Sequence, residues 1–116
     1  MSIPAFKRLA GPLALTTTLT TNLYNPASGI FAILRAVHVV NKTASAHNFT
    51  IYLGATGGTA AGTEEWFQKN VAADDVYDWY GMMELGNSAF LVGGADANTA
   101  LTITLSGEEY VVAPTS

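Results

Sequence analysis

A chain of 116 residues suits one domain of ordinary size, and 49% hydrophobic residues can supply its core. Charged residues make up only 12%, roughly half the usual share, so part of the outer surface is expected to be covered by another protein. A net charge of −4 argues against nucleic acid, which calls for a basic face, and the lack of cysteine excludes disulfides and thiolate metal sites.

Residues 1–12, with Pro4, Gly11 and Pro12, read as an extended arm leading into one domain over residues 13–116. The arm holds Lys7 and Arg8, two of five cations, so the rest of the chain carries 3 cations against 9 acids, or −6. Ile3, Phe6 and Leu9 give it apolar anchors, so the segment is expected either to lie across an acidic neighbour or to be a passive terminus. Thr16, Thr17 and Thr18 cut the apolar stretch too early for a signal peptide, and no run approaches the ~20 apolar residues of a membrane span. The expectation is synthesis in the cytoplasm without an export signal, and no membrane partner.

Period-two alternation then dominates. Residues 13–24 put Leu13, Leu15, Leu19 and Leu23 on one face and threonines on the other, predicting one long strand. Asn25-Pro26-Ala27-Ser28-Gly29 supplies turn chemistry. Residues 30–41 are apolar on both faces: Phe31, Ile33, Val37 and Val39 with Arg35, against Ile30, Ala32, Leu34, Ala36 and Val40 with His38. Such a strand must be covered twice, once by the core and once by a loop, an arm or another subunit.

Residues 48–53 alternate cleanly, with Phe49, Ile51 and Leu53 inward and Thr50 and Tyr52 outward. Residues 54–62 form a glycine-rich hairpin tip, and residues 64–71 a weaker strand. Residues 76–85 set Tyr77, Trp79, Met83 and Leu85 against Val76, Asp78, Tyr80, Met82 and Glu84. Gly86-Asn87 turns the chain into residues 89–92, and Gly93-Gly94 is expected to end that strand. Leu101, Ile103 and Leu105 mark the last strand, with a bulge expected at Gly107. Seven or eight strands at such spacing, without a helix, predict an all-β antiparallel sandwich of jelly-roll type.

Catalytic signals are weak. Asp74, Asp75 and Asp78 with Glu64 and Glu65 lack the spacing of a calcium loop and read as a solvated connection. His38 and His47 lack zinc-site spacing, no serine sits in a nucleophile elbow, and the glycine-rich loop lacks the Gly-Lys-Ser/Thr of a phosphate cradle. No cofactor or metal is implied, and the chain is not expected to be an enzyme. The sequons at Asn41 and Asn48 are read as chance matches. Outward aromatics suit a protein interface, where tyrosine is enriched, better than a sugar platform. The interface candidates are Phe6, Arg35, His38, Tyr52 and Tyr80.

Taken over residues 13–112, the chain resembles the small jelly-roll virion structural proteins of tailed bacteriophages. The likeness is carried by the Tyr24-Asn25-Pro26 turn with the strand ending Val39-Val40-Asn41, and by Phe49-Thr50-Ile51-Tyr52-Leu53-Gly54. Tyr77-Asp78-Trp79-Tyr80-Gly81 and Leu101-Thr102-Ile103-Thr104-Leu105-Ser106-Gly107 complete it. The resemblance implies no catalytic residues. It implies a virion component, a capsid decoration (cement) protein or a neck, tail or fibre-attachment part, that forms a homo-oligomer, expected as a trimer. Its partners would be the major capsid protein or other virion subunits. The alternative of another class is a carbohydrate-binding sandwich module for host recognition.

Overall fold

Alternating side chains need a core on one side of each strand, and two sheets facing one another supply it. The computed structural model describes residues 5–54, 65–86 and 90–111, with side chains for all of these except residues 5 and 65–67. The strands are β1 (Ala5–Ala14), β2 (Asn22–Tyr24), β3 (Ile30–Asn41), β4 (His47–Gly54), β5 (Glu65–Val71), β6 (Asp75–Leu85), β7 (Phe90–Ala95) and β8 (Leu101–Val111). Sheet A runs β1-β8-β3-β6 and sheet B runs β2-β7-β4-β5. The antiparallel ladders β1 with β8, β2 with β7, β3 with β6 and β4 with β5 are those of one long hairpin, tip at β4 and β5, wrapped over itself. That wrapping is a jelly roll, and the chain is an antiparallel β-sandwich as its alternation predicts.

The core lies between the sheets. Leu34, Val37, Val39, Ile103 and Leu105 of sheet A meet Phe49, Ile51, Val71 and Leu91 of sheet B, all at most 2% exposed. Burying each such side chain is worth about 1.5–3 kcal/mol. Phe49 and Tyr77 meet across the layer at 5.8 Å between ring centres, their planes tilted by 52°.

Residues 13–24 do not form one strand. The chain leaves β1 at Ala14, crosses between the sheets, and resumes only at Asn22. The threonines that suggested a strand bind the crossing segment instead. The Thr21 hydroxyl donates to the Thr18 carbonyl at 2.9 Å, and the Thr17 N–H donates to the Asn98 side chain at 2.9 Å. The first is a local bond of the kind that competes with a ladder, and the second ties the segment to a distant loop. Leu15 is buried in the core from this irregular stretch.

Most of the residues read as an arm are ordered in β1, the edge strand paired with β8, so the limit drawn at residue 12 falls inside a strand. Deleting residues 2–10 would remove six of the ten residues of β1.

The doubly apolar strand 30–41 is β3, and its parity changes midway. Ala32 and Leu34 face the core, then a register shift at Arg35 lets Val37, Val39 and Asn41 face it. Part of the double apolarity is therefore one core face read through a bulge. Gly107 lies beside this bulge, but the additional residue is Arg35 on β3. A Cβ at Gly107 would come 2.0 Å from the Ile33 carbonyl oxygen, so only glycine fits there. Gly93 and Gly94 do not end their strand: they lie buried inside β7. At Gly94 a Cβ would meet the Thr16 carbonyl oxygen at 2.5 Å, because the crossing segment packs on this backbone. The loop 55–62 and the Asn87 turn lie outside the described residues.

Candidate interaction surface

Pairing register sets which side chains share the solvent face of sheet A. Phe6, Glu108, Ile33 and Glu84 form one row across the four strands, and Arg8, Ser106, Ala36 and Tyr80 form another. Tyr80 is 76% exposed, Met82 and Phe6 65% each, and Val76 46%. Large apolar side chains thus stand in solvent on both outermost strands, Phe6 on β1 and Val76, Tyr80 and Met82 on β6. The middle strand contributes Ile33, Ala36 and Val40, partly covered by their neighbours.

Two consecutive glutamates of β8 organise the polar groups on either side of this sheet. Glu108 points outward and accepts from the Arg35 guanidinium at 2.8 Å and from the Tyr110 hydroxyl. The Tyr110 hydroxyl and then the Arg35 charge hold its carboxyl below the usual range, while the bond to Glu108 pushes the Tyr110 phenol up. Glu109 points the other way, accepting from Lys7 of β1 at 2.9 Å and from the Tyr24 hydroxyl of β2. It thereby ties sheet A to sheet B at one edge. Tyr24 and then Lys7 lower the Glu109 carboxyl; burial, followed by the bond to Glu109, pushes the Tyr24 phenol well up. Arg35 has the carboxylate partner that a charge on an apolar strand requires.

The other candidates divide between the sheets. His38 lies on the outer face of sheet A, its Nδ1 bonded to Asp78. Phe6, Arg35, His38 and Tyr80 therefore share one surface, whereas Tyr52 of β4 lies on the outer face of sheet B. Trp79 packs against the core from the inner side of β6. The acidic group is not gathered into a site among the described residues: Asp78 is paired with His38, and Asp75 accepts from its neighbour's Val76 N–H. Sequence reasoning missed Met82 and the glutamate pair. Adjacent glutamates on a strand point to opposite faces, and that alternation was the available signal.

The outer face of sheet B is mostly polar, with Tyr52 and the adjoining Leu19 as exceptions. His47 bonds Asp96 at 2.8 Å, and the Asn48 N–H donates to the same carboxylate at 3.0 Å. Burial raises the Asp96 carboxyl, but the Asn48 N–H and His47 together bring it below the ordinary value. Beside them a cleft of about 290 Å³ is lined by Thr17, Leu19, Asn48, Thr50, Gln68 and Asp96. Thr50 is 9% exposed, and its hydroxyl makes no hydrogen bond among the described residues.

Asn41 is a structural anchor and not a glycan acceptor. Its side chain is 1% exposed; its amide donates to the Ser45, Val71 and Ala72 carbonyls, and its oxygen accepts from the Thr43 N–H and hydroxyl. The network pins the end of β3 to the end of β5.

No protein-family model matches this chain, and the search of curated proteins finds none that matches. Among solved structures, the chain is similar to the Tobacco streak virus coat protein, solved as a dimer, at 10% identity and a TM-score of 0.44. The match covers 97% of this chain and 89% of that one.

Proposed function

We propose that this protein is a non-catalytic virion structural component of a tailed bacteriophage, in particular a capsid decoration protein. It would be made in the host cytoplasm and would act as a homo-oligomer, as a trimer, seated on the major capsid protein. The observation that carries the reading is the outer face of sheet A, where Phe6, Val76, Tyr80 and Met82 are left in solvent on a charge-poor chain. Apolar surface of that kind marks a protein contact. The jelly-roll topology is compatible with it, since viral capsid domains share that architecture, but fold alone does not assign function. Phe6, Arg35, His38 and Tyr80 would line the contact, with Tyr52 available on the opposite sheet.

Stabilisation would follow mass action: a protein that binds the assembled shell and not its free subunits favours the shell by its binding free energy. The test is to locate the protein on purified particles by immunolabelling and to compare the heat stability of shells with and without it. Particles lacking the protein, or shells unaffected by its removal, would overturn the decoration role. Labelling at the neck or tail would move it there.

A second reading, a carbohydrate-binding module for host recognition, is supported by the sheet B cleft. Two hydroxyls, two amides and a carboxylate converge there beside the apolar Leu19, a mixed set suited to a neutral polyhydroxylated ligand. Binding on a glycan array that Thr50→Val abolishes would favour this reading; no binding would leave the cleft to water.

A further inference from the structure

We propose that copies of this chain associate head to tail through the two open edges of sheet A, with β1 of one copy laid against β6 of the next. The inference deepens the self-association proposed above and rests on it, but it is independent of any place in a virion. Among the described residues β1 pairs only with β8, and β6 only with β3, so each leaves one side of its ladder unpaired. Long open edges of this kind accept further strands unless they are protected.

The two edges are opposite in charge. Strand β1 carries Lys7 and Arg8 and no acid, or +2; strand β6 carries Asp75, Asp78 and Glu84 and no cation, or −3. Lys7 already meets Glu109 and Asp78 meets His38, but Arg8, Asp75 and Glu84 have no ion-pair partner among the described residues. Pairing β6 with a second β6, or β1 with a second β1, brings like charges together. Pairing β1 with β6 brings opposite ones together, which selects the partner by both attraction and exclusion. Pro12 lacks an N–H, so new pairing on β1 is confined towards its start, where Phe6, Lys7 and Arg8 stand.

Geometry agrees with charge. The three ladders of sheet A are all antiparallel, so its four strands alternate and β1 runs opposite to β6. A copy placed next in line presents β1 antiparallel to β6 with no change of orientation. The outer apolar residues then meet across the junction, Phe6 from one copy and Tyr80 and Met82 from the other. Rotating each copy about an axis parallel to the strands keeps β1 antiparallel to β6, and such a rotation closes a contact between two different surfaces into the ring that the proposed trimer needs.

Two edge variants test this in mixture. Phe6→Glu with Arg8→Glu disables β1, and Val76→Ala with Tyr80→Ala and Met82→Ala disables β6. All are exposed positions, and circular dichroism checks that each variant is folded. Light scattering at micromolar concentration should find the wild type as a discrete oligomer and each variant alone as monomer, with at least a tenfold weaker association. An equimolar mixture should give a 1:1 dimer and nothing larger, because only one junction between intact edges can form. Wild-type protein that is monomeric would overturn self-association altogether. An oligomeric wild type whose variants keep its size, form dimers alone or fail to pair in mixture would overturn the edge assignment only. Should a variant misfold, hydrogen exchange of the wild type decides: the amides of β1 and β6 must slow as concentration rises, and unchanged rates there refute the proposal.

Discussion

Sheet A and sheet B present one kind of surface to each other, rows of leucine, valine, isoleucine and phenylalanine, and two kinds to solvent. Outside sheet A stand Phe6, Tyr80 and Met82, with an ion pair at Arg35 and a hydrogen bond between His38 and Asp78. Outside sheet B stand Asn48, Asn70, Gln68 and Asp96, whose amides and carboxylate bond one another or line a cleft. Both faces enclose the same core, so folding does not require the difference. An apolar face left in water lowers solubility for no gain in the isolated chain, whereas a hydrated amide face is neutral. The asymmetry points to different tasks: contact on sheet A, and solvent or a small polar ligand on sheet B.

The largest effect is expected where the sheet A face is created. Gly107→Ala drives a Cβ into the Ile33 carbonyl beside the bulge that decides which residues of β3 face out. It should destabilise the fold by about 3 kcal/mol or more, read as the urea midpoint. An unchanged midpoint would mean that β3 does not pass there. Asn41→Ala comes next and belongs to neither outer face. Removing its amide and oxygen takes a donor from the buried Val71 carbonyl and from the partly buried Ser45 and Ala72 carbonyls, at a cost of about 1–3 kcal/mol. A loss near zero would show that water replaces the amide.

The Glu109 link between the sheets predicts an acid dependence. Its folded carboxyl lies below the ordinary 4.5, so the stability it adds is present above that pH and is lost as pH falls through the folded value. Glu109→Gln should flatten thermal stability over that acid limb and change it less there than near neutrality. A variant that keeps the full wild-type slope would assign the acid loss to Glu108 and Asp96, whose carboxyls are lowered too.

The smallest effects separate the two outer faces most directly. Tyr80→Ser and Gln68→Ala should each leave the monomer's stability within about 0.5 kcal/mol, since both side chains are exposed. Only Tyr80→Ser should weaken assembly, measured by sedimentation. Equal behaviour of the two in that assay would erase the contrast between the sheets. Thr50→Val should be neutral or slightly stabilising in melting, because it removes a buried hydroxyl without a described partner.

Much of the fold was legible because a strand between core and solvent writes its period into the chain. Phe49, Ile51 and Leu53 against Thr50 and Tyr52 marked β4, and Tyr77, Trp79, Met83 and Leu85 marked the inner side of β6. That Arg35 would need either a carboxylate or a subunit boundary was also readable, since a charge among apolar side chains calls for one of them. Its identity, Glu108, lies 73 positions away and required the pairing of β3 with β8. Threonine alternation suggested a strand through residues 13–24 where the chain crosses between sheets. Local side-chain bonds and the docking of Leu15 won over strand propensity there.

Composition and alternation alone therefore determined an all-β sandwich, its inward residues and a surface short of charge, because those follow from local period and solvation. Tertiary structure alone decided where β3 changes face, that β1 is an edge strand, that four of the candidates share one sheet and Tyr52 does not, and which carboxylate meets which cation. Each of these depends on register between strands far apart in the chain. A one-residue shift in register exchanges the two faces of a strand, and no local pattern records it.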